Sequence, residues 1–171
     1  NLNIIKMNKL KNNIIKILYG ILILTAFSSC DEGGDPNPGG TTTGAFAGEW
    51  FINLTDSEGS PIVEHALHST YNTSANDNTM WIDDHSNGYW LKCKVTVNLD
   101  NGTFSATDAE NLIDGSFVTI TDGKFEKGAA ESKAGHVVDK ISFRAHFDYD
   151  DEGYDILYEG HKRTGFLEDE Y

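Results

Sequence analysis

Cations, cysteines, prolines and long apolar runs are all scarce in this 171-residue sequence, and each scarcity excludes something. Thirteen Lys and Arg stand against 27 Asp and Glu, a formal charge of −14 at pH 7. A surface of that sign repels phosphate backbones and anionic membrane faces, so no nucleic-acid partner is expected. The longest apolar run, Ile17 to Phe27 (ILYGILILTAF), is far short of the ~20 residues a membrane-spanning helix needs. No segment carries a sustained apolar stripe at the 3.6-residue period, which argues against a helical bundle.

What is present first is a leader. Met7 opens a basic stretch with Lys9, Lys11 and Lys16, and the apolar run follows it, the order of a secretory signal. The run ends TAFSSC and gives way to DEGGDPNPGGTTTG, whose glycines and prolines suit a flexible tether. Small residues before Cys30 resemble the lipobox of a bacterial lipoprotein. That resemblance implies that Cys30 is lipidated and that residues 1–29 are a signal peptide. Phe27 in place of Leu resembles the looser lipoboxes of the Bacteroidetes, and Asp31 and Glu32 resemble the surface-export signal of that phylum. The implied location is the outer membrane, on the cell surface, with contact to the membrane through the N-terminal lipid alone. Without residues 1–29 the chain has 9 cations against 27 acids, or −18. Cys93 is then the one remaining thiol, in the alternating stretch YWLKCKVTVNL, and reads as a small buried hydrophobe.

Residues 30–44 are read as tether and 45–171 as one domain of short alternating runs. FAGEWFINLTD places Trp50, Ile52 and Leu54 on one face, and VEHALHSTYNT places Val63, Leu67 and Tyr71 on one parity. WLKCKVTVNLD and KISFRAHFDY alternate most regularly. Asp100-Asn101-Gly102 predicts a hairpin, as does Asp122-Gly123 within FVTITDGKFEKG. Ala129 to Val138, with Gly135 and no stripe, is read as a loop. Eight or nine strands joined by local turns predict an all-β, antiparallel up-and-down barrel.

Gly48-Glu49-Trp50 opens the first strand, and cations lie on the last, in YEGHKRTGF. Together they resemble the calycins, the lipocalin-like barrels. In those a Trp plugs one end and a basic side chain from the last strand covers its ring. Parity favours Lys162 for that cover, whereas Arg163 has the better stacking chemistry, so both remain candidates. More widely, GEW at 48–50, YNTSAND at 71–77, MWIDD at 80–84, VTITDGKF at 118–125 and GHKRTGFLEDEY at 160–171 resemble the lipid-binding putative hydrolase family of the Bacteroidetes. The resemblance implies a lipocalin-like barrel and a small apolar or amphipathic ligand.

Residues expected to face the interior are Leu54, Leu67, Tyr71, Leu91, Val95, Phe143, Phe147 and Tyr158. They line an apolar cavity if the barrel is open and form a packed core if it is filled. Asp148, Asp150, Glu152 and Glu159 match a calcium-loop template apart from Glu152, although the strand-like flanks equally suit a solvated acidic turn. No other cofactor is expected. No G-x-S-x-G is present and no serine stands out, so no catalytic residue is assigned. Three functions stay open: a ligand-binding lipoprotein, an interaction module with a filled barrel, and a lipid-ester hydrolase.

Overall fold

The structure, a computed structural model, describes residues 40–171; the expected signal peptide, Cys30 and the expected tether as far as residue 39 lie outside them. Eight strands follow one another: β1 (Gly48–Thr55), β2 (Pro61–Asn72), β3 (Thr79–Asp83), β4 (Lys92–Val97), β5 (Thr103–Glu110), β6 (Phe117–Glu131), β7 (Val137–Phe147) and β8 (Ile156–Lys162). Each pairs antiparallel with the next, and β8 returns to β1, which closes the barrel. Among the described residues the only helices are single 3-10 turns at Gly44–Phe46 and Leu167–Asp169. Loops 56–60, 84–91, 111–116 and 148–155 gather at one end, here called the mouth. The chain enters at the other end, which Trp50 plugs.

Period-2 alternation builds most of this directly. On β4 Cys93, Val95 and Val97 point inward while Lys94 and Thr96 face solvent. On β7 Ile141, Phe143, Ala145 and Phe147 do the same. Burial drives the Cys93 thiol up to about 12, so it is an inert core atom rather than a nucleophile.

The structure departs from the sequence reading at four places. Asp122-Gly123 is not a hairpin turn: β6 runs on through it for 15 residues. The ladder shifts there between Thr121 and Lys124, with Asp122 in a left-handed conformation (φ 54°), so the pair is a bulge that bends one long strand around the barrel. That is why the strand count is eight. Ala129–Val138 is not a loop, because β6 and β7 extend into it and leave a turn at 132–136.

The third departure lies in β2. His65 takes φ 54° and the β1–β2 register slips between Ile52 and Leu54. Beyond that slip Ala66, His68 and Thr70 face inward. Leu67 and Tyr71 therefore lie on the outer face and are not interior residues. Finally, the tether does not extend to residue 44. Thr42 donates its amide to Asn76 Oδ1 (3.0 Å) and its hydroxyl to Asn76 O (2.7 Å), and Thr43 is fully buried.

At the plugged end Trp50 is 1% exposed, donates Nε1–H to Thr70 Oγ1 at 2.9 Å, and packs on Phe125 with centroids 5.6 Å apart. Lys162 is its register partner across the seam and holds Nζ 5.7 Å from the indole centroid. A Cβ on Gly48 would stand 2.9 Å from Lys162 Cε, so the glycine of G-x-W is the space through which the lysine stem passes. Arg163 faces outward instead, bound to Glu49 (2.6 Å) and Glu170 (2.8 Å) and lying over Phe51. The segment after β8 is clasped by Asp169, whose carboxyl accepts bonds from Ala134 N–H, Thr164 and His136. Burial alone would raise that carboxyl, but these bonds and one from Ser132 hold it well below the usual range.

Candidate functional site

Side chains occupy the interior of the barrel. Leu54, Leu91, Val95, Phe143, Phe147 and Tyr158 are each at most 2% exposed, and Phe143 stacks on Tyr158 at 4.3 Å. The principal clefts open on the surface. The largest, about 870 Å³, runs along β4 to β6 and is lined chiefly by polar residues such as Asn78, Asn98 and Thr103. A second, of about 480 Å³, sits at the mouth and is lined by Gly88, Tyr89, Trp90, Asp114 and Tyr149. The cleft at the mouth combines three aromatic side chains with the carboxylate of Asp114.

Its rim is exposed: Trp90 keeps 58% of its surface and Tyr149 52%, with Leu112 and Phe117 also exposed at this end. The 84–91 loop holds Trp90 there in a left-handed conformation (φ 58°), as are His85 and Ser86. Asn111 fixes that geometry from the neighbouring loop. Its Nδ2 donates to Trp90 O (2.8 Å), and its Oδ1 accepts the Lys92 amide (3.0 Å). Below the rim, Tyr89 packs on Phe147 at 5.2 Å and donates to Asp150 Oδ1 at 3.2 Å. Burial, then the Asp150 charge, push the Tyr89 phenol up to about 12.

Under the loop lies a set of buried polar groups that alternation did not reveal. His68 and Asp84 are fully buried and Tyr158 is 1% exposed. His68 Nδ1 lies 2.9 Å from Ala66 O, and Asp84 Oδ1 accepts the Ser86 amide at 2.8 Å. His68 Nε2, Asp84 Oδ2 and the Tyr158 hydroxyl have no hydrogen-bond partner in the protein. The His68 and Tyr158 rings meet edge-on at 5.8 Å. Burial lowers the His68 imidazole below the ordinary histidine range, against the opposing effects of the Ala66 carbonyl and the Asp84 charge. It also lifts the Tyr158 phenol far above its ordinary value. Both groups are neutral at pH 7.

A pH dependence follows from His68. Its folded pKa is depressed, so below the unfolded value of about 6.5 the unfolded chain takes up a proton that the native state refuses. Stability is then lost as pH falls, by up to about 1.4 kcal/mol per pH unit, and is flat with respect to this group above that value. Urea midpoints compared at about pH 7.5 and 5.5 should show the fall in wild type and a smaller one in His68→Phe. An equal fall in both proteins would remove His68 as its cause.

The outer face of the same loop carries a second cluster. Ser69 Oγ is 2.7 Å from His85 Nε2, and His85 Nδ1 is 3.7 Å from Asp83 Oδ1. Asp83 Oδ2 accepts from Tyr71 (2.9 Å) and Lys92 (2.8 Å). Burial would raise the Asp83 carboxyl, but the Lys92 ammonium, the His85 amide and Tyr71 outweigh it and hold it low. His65 stacks on Tyr171 at 3.7 Å and takes no part.

The calcium-loop residues do not converge. Glu159 lies on β8 and pairs with Lys140 at 2.9 Å, away from the 148–153 turn. Among the described residues no three His, Cys, Asp or Glu side chains gather at metal-binding distance.

A family model described as "Lipid-binding putative hydrolase" matches residues 35–167, most of the chain. This chain belongs to that family. No curated protein matches it. For a member of the lipid-binding putative hydrolases, a closed barrel with an aromatic mouth points to a lipid-like ligand. It does not point to a chamber of the lipocalin kind, since the interior is occupied by its own side chains.

Proposed function

We propose that this protein is a lipoprotein, anchored through Cys30 at the outer-membrane surface, that binds a small amphipathic lipid at the mouth of its barrel. The observation that carries the binding reading is the cleft between Trp90 and Tyr149, two exposed aromatics over a partly polar floor. Its volume of about 480 Å³ falls in the ~300–1,000 Å³ range of small-molecule sites. Loop end and family description agree in the class of ligand. Support for the anchor comes from the sequence, where a short apolar run and small residues precede Cys30 and acids follow it.

One observation favours a second reading, hydrolysis of a lipid ester. Ser69, His85 and Asp83 follow each other in the order of a nucleophile, base and orienting carboxylate. The His85–Asp83 distance is longer than a hydrogen bond, as catalytic contacts in a free enzyme often are. In this reading Ser69 Oγ attacks the ester carbonyl as His85 Nε2 takes its proton. The proton then passes to the leaving alcohol, and water releases the acid.

A single set of measurements tests both readings. Full-length protein is titrated with 1-monodecanoylglycerol, decanoate and decylammonium by calorimetry, and the glycerol ester is followed for release of decanoate. Binding of at least one probe, weakened tenfold or more by Trp90→Ala, is the expected result. Failure of all three to bind would sink the cleft reading. Release of decanoate that disappears in Ser69→Ala would establish the second reading, and its absence from wild type would remove it.

A further inference from the structure

We propose that His68, Asp84 and Tyr158 form a buried socket for a neutral hydroxyl-bearing head group, of the kind a 1-monoacylglycerol carries. The inference rests on the cleft reading above and adds to it the chemistry of the ligand's polar end.

Five buried side-chain polar atoms among the described residues have no hydrogen-bond partner in the protein. Three of them belong to this trio, and a fourth, Asp150 Oδ2, sits beside the cleft on the carboxyl that Tyr89 contacts. Each such atom has given up water without gaining a partner in the protein, which is a net cost to the fold. That the cost is concentrated at one end, from strands as distant in sequence as β2 and β8, is the mark of a site rather than of scattered packing faults.

Donor and acceptor identities define the guest. The Ala66 carbonyl can only accept, so His68 carries its proton on Nδ1 and presents the Nε2 lone pair to the socket. Asp84 Oδ1 is taken by the Ser86 amide, which leaves Oδ2 as a second acceptor. Burial keeps the Tyr158 phenol protonated, and its O–H is the one donor. Two acceptors and one donor suit a vicinal diol, whose two hydrogens meet His68 and Asp84 and whose oxygen accepts from Tyr158. A carboxylate brings no hydrogen and sets a second negative charge beside Asp84 in a site without water's dielectric. An ammonium brings hydrogens but no lone pair, so the Tyr158 hydrogen remains unanswered.

Cleft and socket share one wall. A Cβ on Gly88 would stand 2.8 Å from Asp84 Oδ2 and 3.2 Å from His68 Nε2, and Gly88 also lines the cleft. Gly88, which has no side chain, is thus the one residue that separates the cleft from the Asp84 and His68 atoms of the trio.

The test uses full-length protein with 1-monodecanoylglycerol, decanoate and decylammonium as calorimetric probes. Wild type is expected to bind the glycerol ester at least tenfold more tightly than either charged probe. Tyr158→Phe should cut affinity for the ester at least tenfold while leaving the melting temperature unchanged or higher, since it deletes an unpartnered hydroxyl. Asp84→Asn, which keeps the shape and removes the charge, should narrow the gap between ester and decanoate, and it tests the socket even if Tyr158→Phe folds poorly. Equal affinity for the three probes, or ester binding unchanged in both variants, overturns the socket. If Trp90→Ala weakens all probes while Tyr158→Phe and Asp84→Asn alter none, the cleft reading survives and the socket falls. If wild type binds none, both fall.

Discussion

Trp50→Ala should destabilise the barrel by about 3–5 kcal/mol, the range for deleting a large buried aromatic. The indole is 1% exposed and packs against Phe125, which in turn meets Phe46 at 5.2 Å and Phe104 at 4.7 Å. Its removal therefore opens a cavity beneath a chain of aromatic contacts. A polar loss adds to it: Thr70 Oγ1 accepts the indole N–H while donating to Phe46 O at 2.7 Å, so the 3-10 turn at Gly44–Phe46 is tied to β2 through the same bridge. Lys162→Met separates plug from cover. Methionine keeps most of the stem that passes Gly48 and loses only the cation over the ring, worth roughly 0.5–2 kcal/mol. Urea unfolding of both variants gives the comparison, and a Lys162→Met cost equal to that of Trp50→Ala would mean the charge, not the ring, holds this end.

The way Trp50 is held also shows what a sequence exposes and what it hides. Where a strand keeps its period from end to end, as β4 and β7 do, alternation names the interior faces without help. Where a strand slips, alternation inverts. Reading through His65 as if it were an ordinary strand residue assigns Leu67 and Tyr71 to the core, whereas the left-handed turn at His65 brings Ala66, His68 and Thr70 inside. The inverted assignment also conceals the polar trio, because a face made of alanine, histidine and threonine does not present itself as an interior one. Asp122-Gly123 misleads for a related reason. An Asp-Gly pair meets the backbone demands of a hairpin turn and of a bulge equally, and the choice depends on whether the chain after it folds back along residues 117–121 or continues between β5 and β7. Ser69 carries no local signal at all. Its neighbour His85 is 16 residues away and reaches it only because β2 and β3 pair at Ser69–Asp83.

The seam that brings β8 back to β1 leads to the other large effect, Gly160→Ala. Gly160 faces Ile52 on one side and Ile141 on the other, so it is a middle-strand residue at the closure of the barrel. A Cβ built on it would overlap the Phe51 carbonyl oxygen and stand 2.7 Å from Ile52 Cα. Overpacking against flexible side chains costs typically ~1–3 kcal/mol because neighbours can move aside. Here the neighbours are backbone atoms of β1, held by pairing to β2 as well as β8, and Ile52 is itself fully buried. Relief would require β1 and β8 to separate, which would also withdraw Lys162 from Trp50 two residues along the same ladder. The expected cost exceeds about 4 kcal/mol, a size reserved for changes that break a specific structural constraint. Circular dichroism and urea titration should therefore show a variant that is largely unfolded, or one whose transition has lost its cooperativity. A Gly160→Ala protein with the wild-type midpoint would mean that the strands approach less closely at the seam, and the barrel closes there by side-chain contact instead of by backbone proximity.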